Sequence, residues 1–259
     1  MATARKSSKK PKVKNYKTVK VEIAGGMAKV IFNRPEKRNA MSPQLHRDMT
    51  AALDQVMYDD DARVLVLTGA GTSWCAGMDL KEYFYELQDK QKEWERVRRI
   101  ADAWMTDVLQ YYPKPTIAAV NGWVFGGAFV PLICCDIAIA LSDAQFGLSE
   151  INFALVPGGT VSRMITDILP PRWAMYYALT GETMDGRQAE KVGLVNKAVD
   201  TEKELWTEVR RISDSLSAKQ PAALQYTKEL VRYSRRMDYQ QAFDYAIAKV
   251  GQLTARTQG

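Results

Sequence analysis

The stretch Asn121–Glu150, NGWVFGGAFVPLICCDIAIALSDAQFGLSE, decides how this chain reads. It follows Pro115–Val120 (PTIAAV), a short apolar run of the kind that forms a buried strand. Gly126 and Gly127 come next in an apolar setting. Lacking side chains, they let the backbone approach a neighbour or a ligand closely. The apolar segment Phe129 to Leu141 carries one acid, Asp136, and the stretch closes on FGLSE with Glu150 at its end. A carboxylate in apolar surroundings has its pKa raised and can work as a proton donor. A pinched backbone beside one acid suits the holding of an oxyanion and the transfer of a proton. It equally suits a helix packed tightly on a strand, followed by a solvated loop acid. Asp136 reads as a cap or an ion-pair partner within the core.

Outside this stretch, bulk properties narrow the class. A chain of 259 residues is one large domain or two small ones, and 46% apolar residues support a packed core. No run reaches the length of a membrane span, and no apolar segment follows the basic start, so neither a membrane protein nor a secreted one is expected. The three cysteines, Cys75, Cys134 and Cys135, are odd in number with two adjacent, which fits a reducing, cytoplasmic setting. Neither CxxC nor a Cys/His cluster is present, so no metal site is expected. The net charge of +6 is uneven: residues 1–20 hold eight of the 36 Lys and Arg and no acid. Residues 1–16 therefore read as a disordered basic arm that adds solubility, with contact to nucleic acid or anionic lipid as the rival reading. His46 is the only histidine, which excludes a Ser-His-Asp triad, a Cys-His pair unless His46 serves it, and any His-rich metal site. It reads as a surface or packing residue of a helix. Chemistry here falls to carboxylates, tyrosines and backbone amides.

In chain order, Val19–Ile23 and Ala28–Phe32 flank Gly25-Gly26 as a hairpin. Ser42-Pro43 opens a helix whose Leu45, Met49, Leu53 and Val56 repeat at helical spacing. Arg63–Thr68 (RVLVLT) is a buried strand, and GAGTSWCAGMDLKEY is a glycine-bearing loop entering a helix. Residues 80–110 are helical by pattern. Ile137–Ala140 and Gly193–Val199 complete the strands, and PGGTVSRM opens a helix with a free N-terminus. Strands alternating with helices predict an α/β fold with parallel pairing. Residues 202–218, 221–234 and 238–252 read as three amphipathic helices, so the expected division is a core over 17–200 and a helical subdomain over 201–259.

Four segments then fall into one pattern: NRPEKRNAMS, GAGTSWCAGMDLKEY, NGWVFGGAFV and FGLSEINFALVPGG. Together they resemble the crotonase (enoyl-CoA hydratase/isomerase) superfamily from about Lys17 onward. Within it, RPEKRNAMSP, AGMDLKEYF, NGWVFGG and FGLSEIN are most similar to the hydroxycinnamoyl-CoA hydratase-lyases. The resemblance implies a ββα spiral core with a C-terminal helical region, assembled as a trimer or a dimer of trimers. It implies an acyl-CoA thioester as ligand, with no metal or nicotinamide cofactor. It puts the oxyanion hole at the backbone N–H groups of Met78 and Gly127. Two fixed donors aimed at a thioester oxygen stabilise the enolate that forms there. For the CoA moiety it implies Lys37 at the phosphates, the segment Ala76, Met78 and Leu80 at the adenine and pantetheine arm, and Ser149 and Phe153 as further contacts. The family usually carries tryptophan where this chain has Phe153.

Simple hydratases of the superfamily use two glutamates, and the resemblance matches only the second, Glu150. The first position is Val130, which transfers no proton; the hydratase-lyases usually carry serine there. A 4-hydroxycinnamoyl thioester supplies its own electronic push through the ring, and the resemblance assigns Tyr83 and Tyr245 as its phenol contacts and Gly158 as a backbone contact to the aromatic product. Glu150 would then be the single acid/base of hydration and retro-aldol cleavage. Tyr83 also reads as a packed helix residue, and Tyr245 lies among Tyr226, Tyr233 and Tyr239. Two further functions stand beside the lyase: a plain enoyl-CoA hydratase or isomerase, and a non-catalytic fold whose basic arm binds nucleic acid. That arm lacks the interleaved aromatics that stack bases.

Overall fold

The computed structural model describes residues 11–258. Strand β1 (Lys12–Asn15) precedes the hairpin of β2 (Val19–Ala24) and β3 (Gly26–Phe32). Helix α1 (Pro43–Met57) opens as its cap residues dictate: Ser42 Oγ accepts from the Leu45 N–H at 3.2 Å, and Pro43 fills the first position. Its Leu45, Met49, Leu53 and Val56 stripe is fully buried. Strands β4 (Ala62–Gly69) and β5 (Ser73–Cys75) follow. The helical stretch expected over residues 80–110 is broken into a π-helical turn at Leu80–Phe84, helix α2 (Gln91–Asp102) and a second π-helical segment at Ala103–Leu109. Next come β6 (Thr116–Val120), β7 (Trp123–Phe125), α3 (Phe129–Cys134), β8 (Ile137–Leu141), β9 (Gln145–Gly147) and a 3-10 turn at Ser149–Phe153. The chain continues through α4 (Val161–Ile168), α5 (Pro171–Thr180), β10 (Thr183–Asp185), α6 (Gly186–Lys191), β11 (Lys197–Val199), α7 (Glu202–Ser217), α8 (Pro221–Ser234) and α9 (Tyr239–Gln258).

Among the described residues there are two sheets. The larger has the order β1-β2-β3-β4-β6-β8-β11, antiparallel as far as β3 and parallel beyond it. The smaller has the order β10-β9-β7-β5, with β5, β7 and β9 parallel. The pairs β4/β5, β6/β7 and β8/β9 each place one strand in the large sheet and the next in the small one, and a helical segment follows each pair. This is the ββα spiral expected from the motifs. Period-2 alternation divides the large sheet's side chains. Leu65, Leu67, Ala118 and Val120 join the main core, whereas Val64, Val66, Ile117 and Ile139 face Leu205 and Val209 of α7.

Two boundaries differ from expectation. The arm expected over residues 1–16 ends sooner, because Lys12–Asn15 pair antiparallel with β2 and Lys12 Nζ bonds Asp59 and Asp61, each at 2.9 Å. Backbone pairing and two carboxylates outweigh the local basic composition there. Residues 1–10 lie outside the described residues. The three C-terminal helices form as expected, but α7 covers the outer face of the large sheet and so belongs to the core rather than to an appendage.

Asp136 ties the spiral to α8. Its Oδ2 accepts from the Thr116 N–H and Oγ1, both at 2.9 Å, and from Lys228 Nζ at 2.8 Å; its Oδ1 accepts from Arg232 Nη2 at 2.7 Å. Removing this anion leaves two partly buried cations uncompensated. Asp136→Ala is expected to lower unfolding stability in urea by about 3 kcal/mol. Adding Arg232→Met should recover part of that loss, because it removes one orphaned charge.

Candidate active site

The three parallel strands of the small sheet are each three residues long, and each delivers a motif just past its C-terminal end. Ala76-Gly77-Met78 follows β5, Gly126-Gly127 follows β7, and Leu148-Ser149-Glu150 follows β9. Open α/β sheets bind ligands at such carboxyl ends. Their pairing brings together residues spread over more than seventy positions of sequence.

Contact between the first two segments is close enough to demand glycine. Gly77 has φ +86°, and a Cβ there would stand 2.5 Å from the Phe125 carbonyl oxygen and 3.4 Å from the Gly127 nitrogen. A Cβ on Gly127 would stand 3.2 Å from Met78 Cγ. Met78 itself forms a parallel bridge with Met41: the Gly77 carbonyl accepts from the Met41 N–H at 2.7 Å, and the Asp79 N–H donates to the Met41 carbonyl at 3.0 Å. Backbone groups alternate in direction along an extended segment, so the Met78 N–H faces away from Met41. Gly127 lies in the opening 3-10 turn of Gly126–Ala128, which Phe125 enters with no side-chain cap, and the first amides of a helical segment have no partner within it. Met78 and Gly127 are thus neighbours in space.

Glu150 meets the same point from the third strand. A Cβ on Gly126, which has φ +51°, would lie 3.2 Å from Glu150 Oε1. Glu150 Oε2 is buried without a hydrogen-bond partner among the described residues. Burial pushes the Glu150 carboxyl above the usual glutamate range, against a smaller opposing effect of its own backbone amide. An acid that withdraws from solvent and keeps an unsatisfied oxygen is suited to exchange protons with a bound molecule.

Tyr83 stands beside this group on the π-helical turn Leu80–Phe84. It is buried, and Met78 and Trp94 pack against its cluster with Leu87 and Val97. Burial, with Asp102 adding to it, pushes its phenol up to about 12, so Tyr83 keeps its proton at neutral pH. Val130 is buried in the main core on α3. Lys37 is exposed at the end of a 3-10 turn, and the Ala76 N–H reaches the Arg38 carbonyl beside it at 3.0 Å. Leu80, Phe153 and Gly158 are exposed and Ser149 is half-buried. A Cβ on Gly158 would meet nothing nearer than the Val156 carbonyl oxygen at 3.8 Å, which leaves room for a ligand. Tyr245 is not brought to this group: on α9, its ring meets Tyr233 at 5.9 Å and the Lys249 ammonium at 5.4 Å.

The sequence motifs also hid the groups that hold the site. Buried Arg34 donates to Asp79 Oδ2 at 3.0 Å, to the Ala40 carbonyl at 2.7 Å and to Glu82. Asp79 Oδ1 in turn accepts from the N–H groups of Lys81 and Glu82, capping the turn that carries Tyr83. The side chain of Asn39 accepts from the Arg34 N–H at 2.8 Å and donates to the Ala70 and Ser73 carbonyls. The available signal was an aspartate one residue before a helical turn, placed to cap it. A groove of about 490 Å³ between α4 and α8, lined in part by Arg163, Lys228, Arg232 and Arg235, shares none of the site residues.

Known proteins share the sequence pattern and the fold. The sequence model of the enoyl-CoA hydratase/isomerase family matches residues 22–257. A hydroxycinnamoyl-CoA hydratase-lyase of Pseudomonas fluorescens is 48% identical over 92% of this chain and 86% of its own length. An (E)-benzylidenesuccinyl-CoA hydratase of Thauera aromatica is 31% identical over 88% of this chain and 87% of its own. The solved structure of AtuE from Pseudomonas aeruginosa superposes with a TM-score of 0.85 at 30% identity, covering 92% of each chain. With the spiral, the paired strand ends and these relatives in agreement, the chain belongs to the enoyl-CoA hydratase/isomerase (crotonase) family.

Proposed function

We propose that the protein is a hydratase-lyase that converts a 4-hydroxycinnamoyl-CoA thioester, such as feruloyl-CoA, and water into a 4-hydroxybenzaldehyde, such as vanillin, and acetyl-CoA. The observation that carries this function is Glu150, its Oε2 unpartnered where the strand ends meet, while the position of a second hydratase glutamate is the apolar Val130. The similarity to the Pseudomonas fluorescens hydratase-lyase supports it.

In the first half-reaction the Glu150 carboxylate takes a proton from water as its oxygen attacks Cβ. The alkene electrons move to the thioester oxygen, which the Met78 and Gly127 N–H groups hold as an enolate. Such donors each contribute a few kcal/mol in a transition state. The carboxylic acid of Glu150 then returns its proton to Cα. In the second half-reaction Glu150 takes the β-hydroxyl proton, the Cα–Cβ bond breaks, and the aldehyde leaves. The enolate of acetyl-CoA collects the proton from Glu150 at Cα. Tyr83, protonated at neutral pH, donates to the phenolic oxygen and holds the ring in place. Tyr245, in contact with Tyr233 within this chain, leaves phenol recognition to Tyr83. Lys37, Ala76, Leu80, Ser149 and Phe153 serve the CoA moiety. Exposed apolar side chains on α5 (Trp173, Met175, Leu179) and α9 (Phe243, Ile247, Val250) support assembly of several copies.

Feruloyl-CoA incubated with the purified protein is expected to give acetyl-CoA and vanillin in equal amounts, resolved by liquid chromatography, without added metal or nicotinamide. Hydration of crotonyl-CoA with no aldehyde from feruloyl-CoA would assign a plain hydratase instead.

Glu150→Gln is expected to lower kcat by about 10²–10⁴-fold while the thermal midpoint rises. The sign follows from the raised pKa. The folded protein holds the Glu150 proton more tightly than the unfolded chain does, so stability falls as pH climbs from the ordinary glutamate value through the folded one. At neutral pH the amide removes that penalty. Turnover needs the carboxylate, so the acid limb of kcat/KM should lie above the ordinary glutamate value of about 4.3. A limb at the ordinary value would remove Glu150 as the base.

A further inference from the structure

His46 takes no part in the chemistry above, yet it is fully buried and is the only histidine of the chain. From α1 it meets both π-helical segments. Trp104 Nε1–H donates to His46 Nδ1 at 3.0 Å, and the Tyr83 ring lies edge-to-face with the imidazole at 5.6 Å between centres. An indole N–H only donates, so Nδ1 accepts and the neutral ring carries its proton on Nε2. That Nε2–H has no hydrogen-bond acceptor among the described residues. Burial lowers the imidazole pKa to about 3, with the adjacent Arg47 pushing the same way, so the ring stays neutral. A buried donor denied oxygen and nitrogen can still meet the face of an aromatic ring. Tyr83 and Trp104 each stand on a π-helical segment, a widened turn of the sort that recurs at functional positions.

We propose that His46 is the positioning residue for Tyr83: Trp104 locks the imidazole in the Nε2–H tautomer, and the edge-to-face contact of the two rings fixes the plane of the Tyr83 ring and the direction of its hydroxyl. The inference rests on Tyr83 being the phenol contact of the proposed lyase. Neutral His46, with Nδ1 occupied by Trp104, offers no lone pair to the Tyr83 O–H. The hydroxyl proton therefore stays available to an aromatic oxygen of the substrate.

Because the chain has one histidine, isotope-labelled histidine gives the NMR signals of His46 alone. The expected spectrum, with no ligand present, is the Nε2–H tautomer, with ring shifts that move in Tyr83→Leu. The opposite tautomer, or shifts indifferent to Tyr83, would overturn the proposal. In a second arm, 4-hydroxybenzaldehyde and acetyl-CoA are the binding probes. His46→Leu should weaken the aldehyde about tenfold and leave acetyl-CoA unchanged, and His46→Gln, which keeps a donor, should recover most of the loss. Equal losses for both probes, or none for the aldehyde, would also overturn it. Wild-type protein that binds no aldehyde would instead sink the lyase function, and the labelled imidazole would then decide alone whether His46 holds Tyr83.

Discussion

Parallel pairing of three very short strands is the constraint on which the site depends. β5, β7 and β9 hold few ladder hydrogen bonds, yet they set Gly127 against Met78 and Gly126 against Glu150. The pairing survives only where side chains are absent. At Gly77 the Phe125 carbonyl occupies the space of any Cβ, and at Gly126 the Glu150 carboxylate nearly does. The strands are kept in register from outside, by the large sheet with which they alternate and by Arg34, Asn39 and Asp79. The meeting place of the strand ends is thereby lined by backbone as well as by side chains.

The ionisable groups of the interior fall into two kinds. Asp136 with Lys228 and Arg232, and Arg34 with Asp79 and Glu82, are cross-linked by several hydrogen bonds and fasten one element to another. Glu150 is half-buried with its Oε2 unpartnered among the described residues, and nothing in the fold gains from its charge. His46 shares that unsatisfied character one layer deeper. An unpartnered buried polar atom costs stability at both positions. The buried cysteines contrast with both: burial pushes the thiols of Cys75 and Cys134 up to about 12, so neither is a ready nucleophile.

Much of this was legible in the residues. The hairpin, α1 with its Ser42 cap, the apolar parallel strands and the three C-terminal helices all follow from periodicity and cap chemistry. The glycine pair and Glu150 stood out as a pinch and an acid, and the four motifs joined them to Met78. What stayed hidden was short or distant. Strands of three residues carry no measurable period, so β5, β7 and β10 vanish into loops. The π-helical turns break a charge-rich pattern that reads as plain helix. Whether α7 caps a sheet or stands apart depends on Val64 and Val66, some 140 residues away in the chain, as much as on its own Leu205 and Val209. Lys12 looks like tail until Asp59 and Asp61 are seen beneath it.

That last segment has a consequence for how the protein behaves in a crowded solution. β1 is the outermost strand of the large sheet, and an outermost strand offers unpaired backbone groups on which another chain can add. All four of its side chains are exposed, two of them lysines, with Lys14 lying over the Tyr16 ring and Lys12 held on Asp59 and Asp61. Lysines on a short, tethered edge make strand addition unfavourable, because an incoming chain must desolvate or displace their charges. The two lysines of β1 thus act as a guard against aggregation at one side of the spiral.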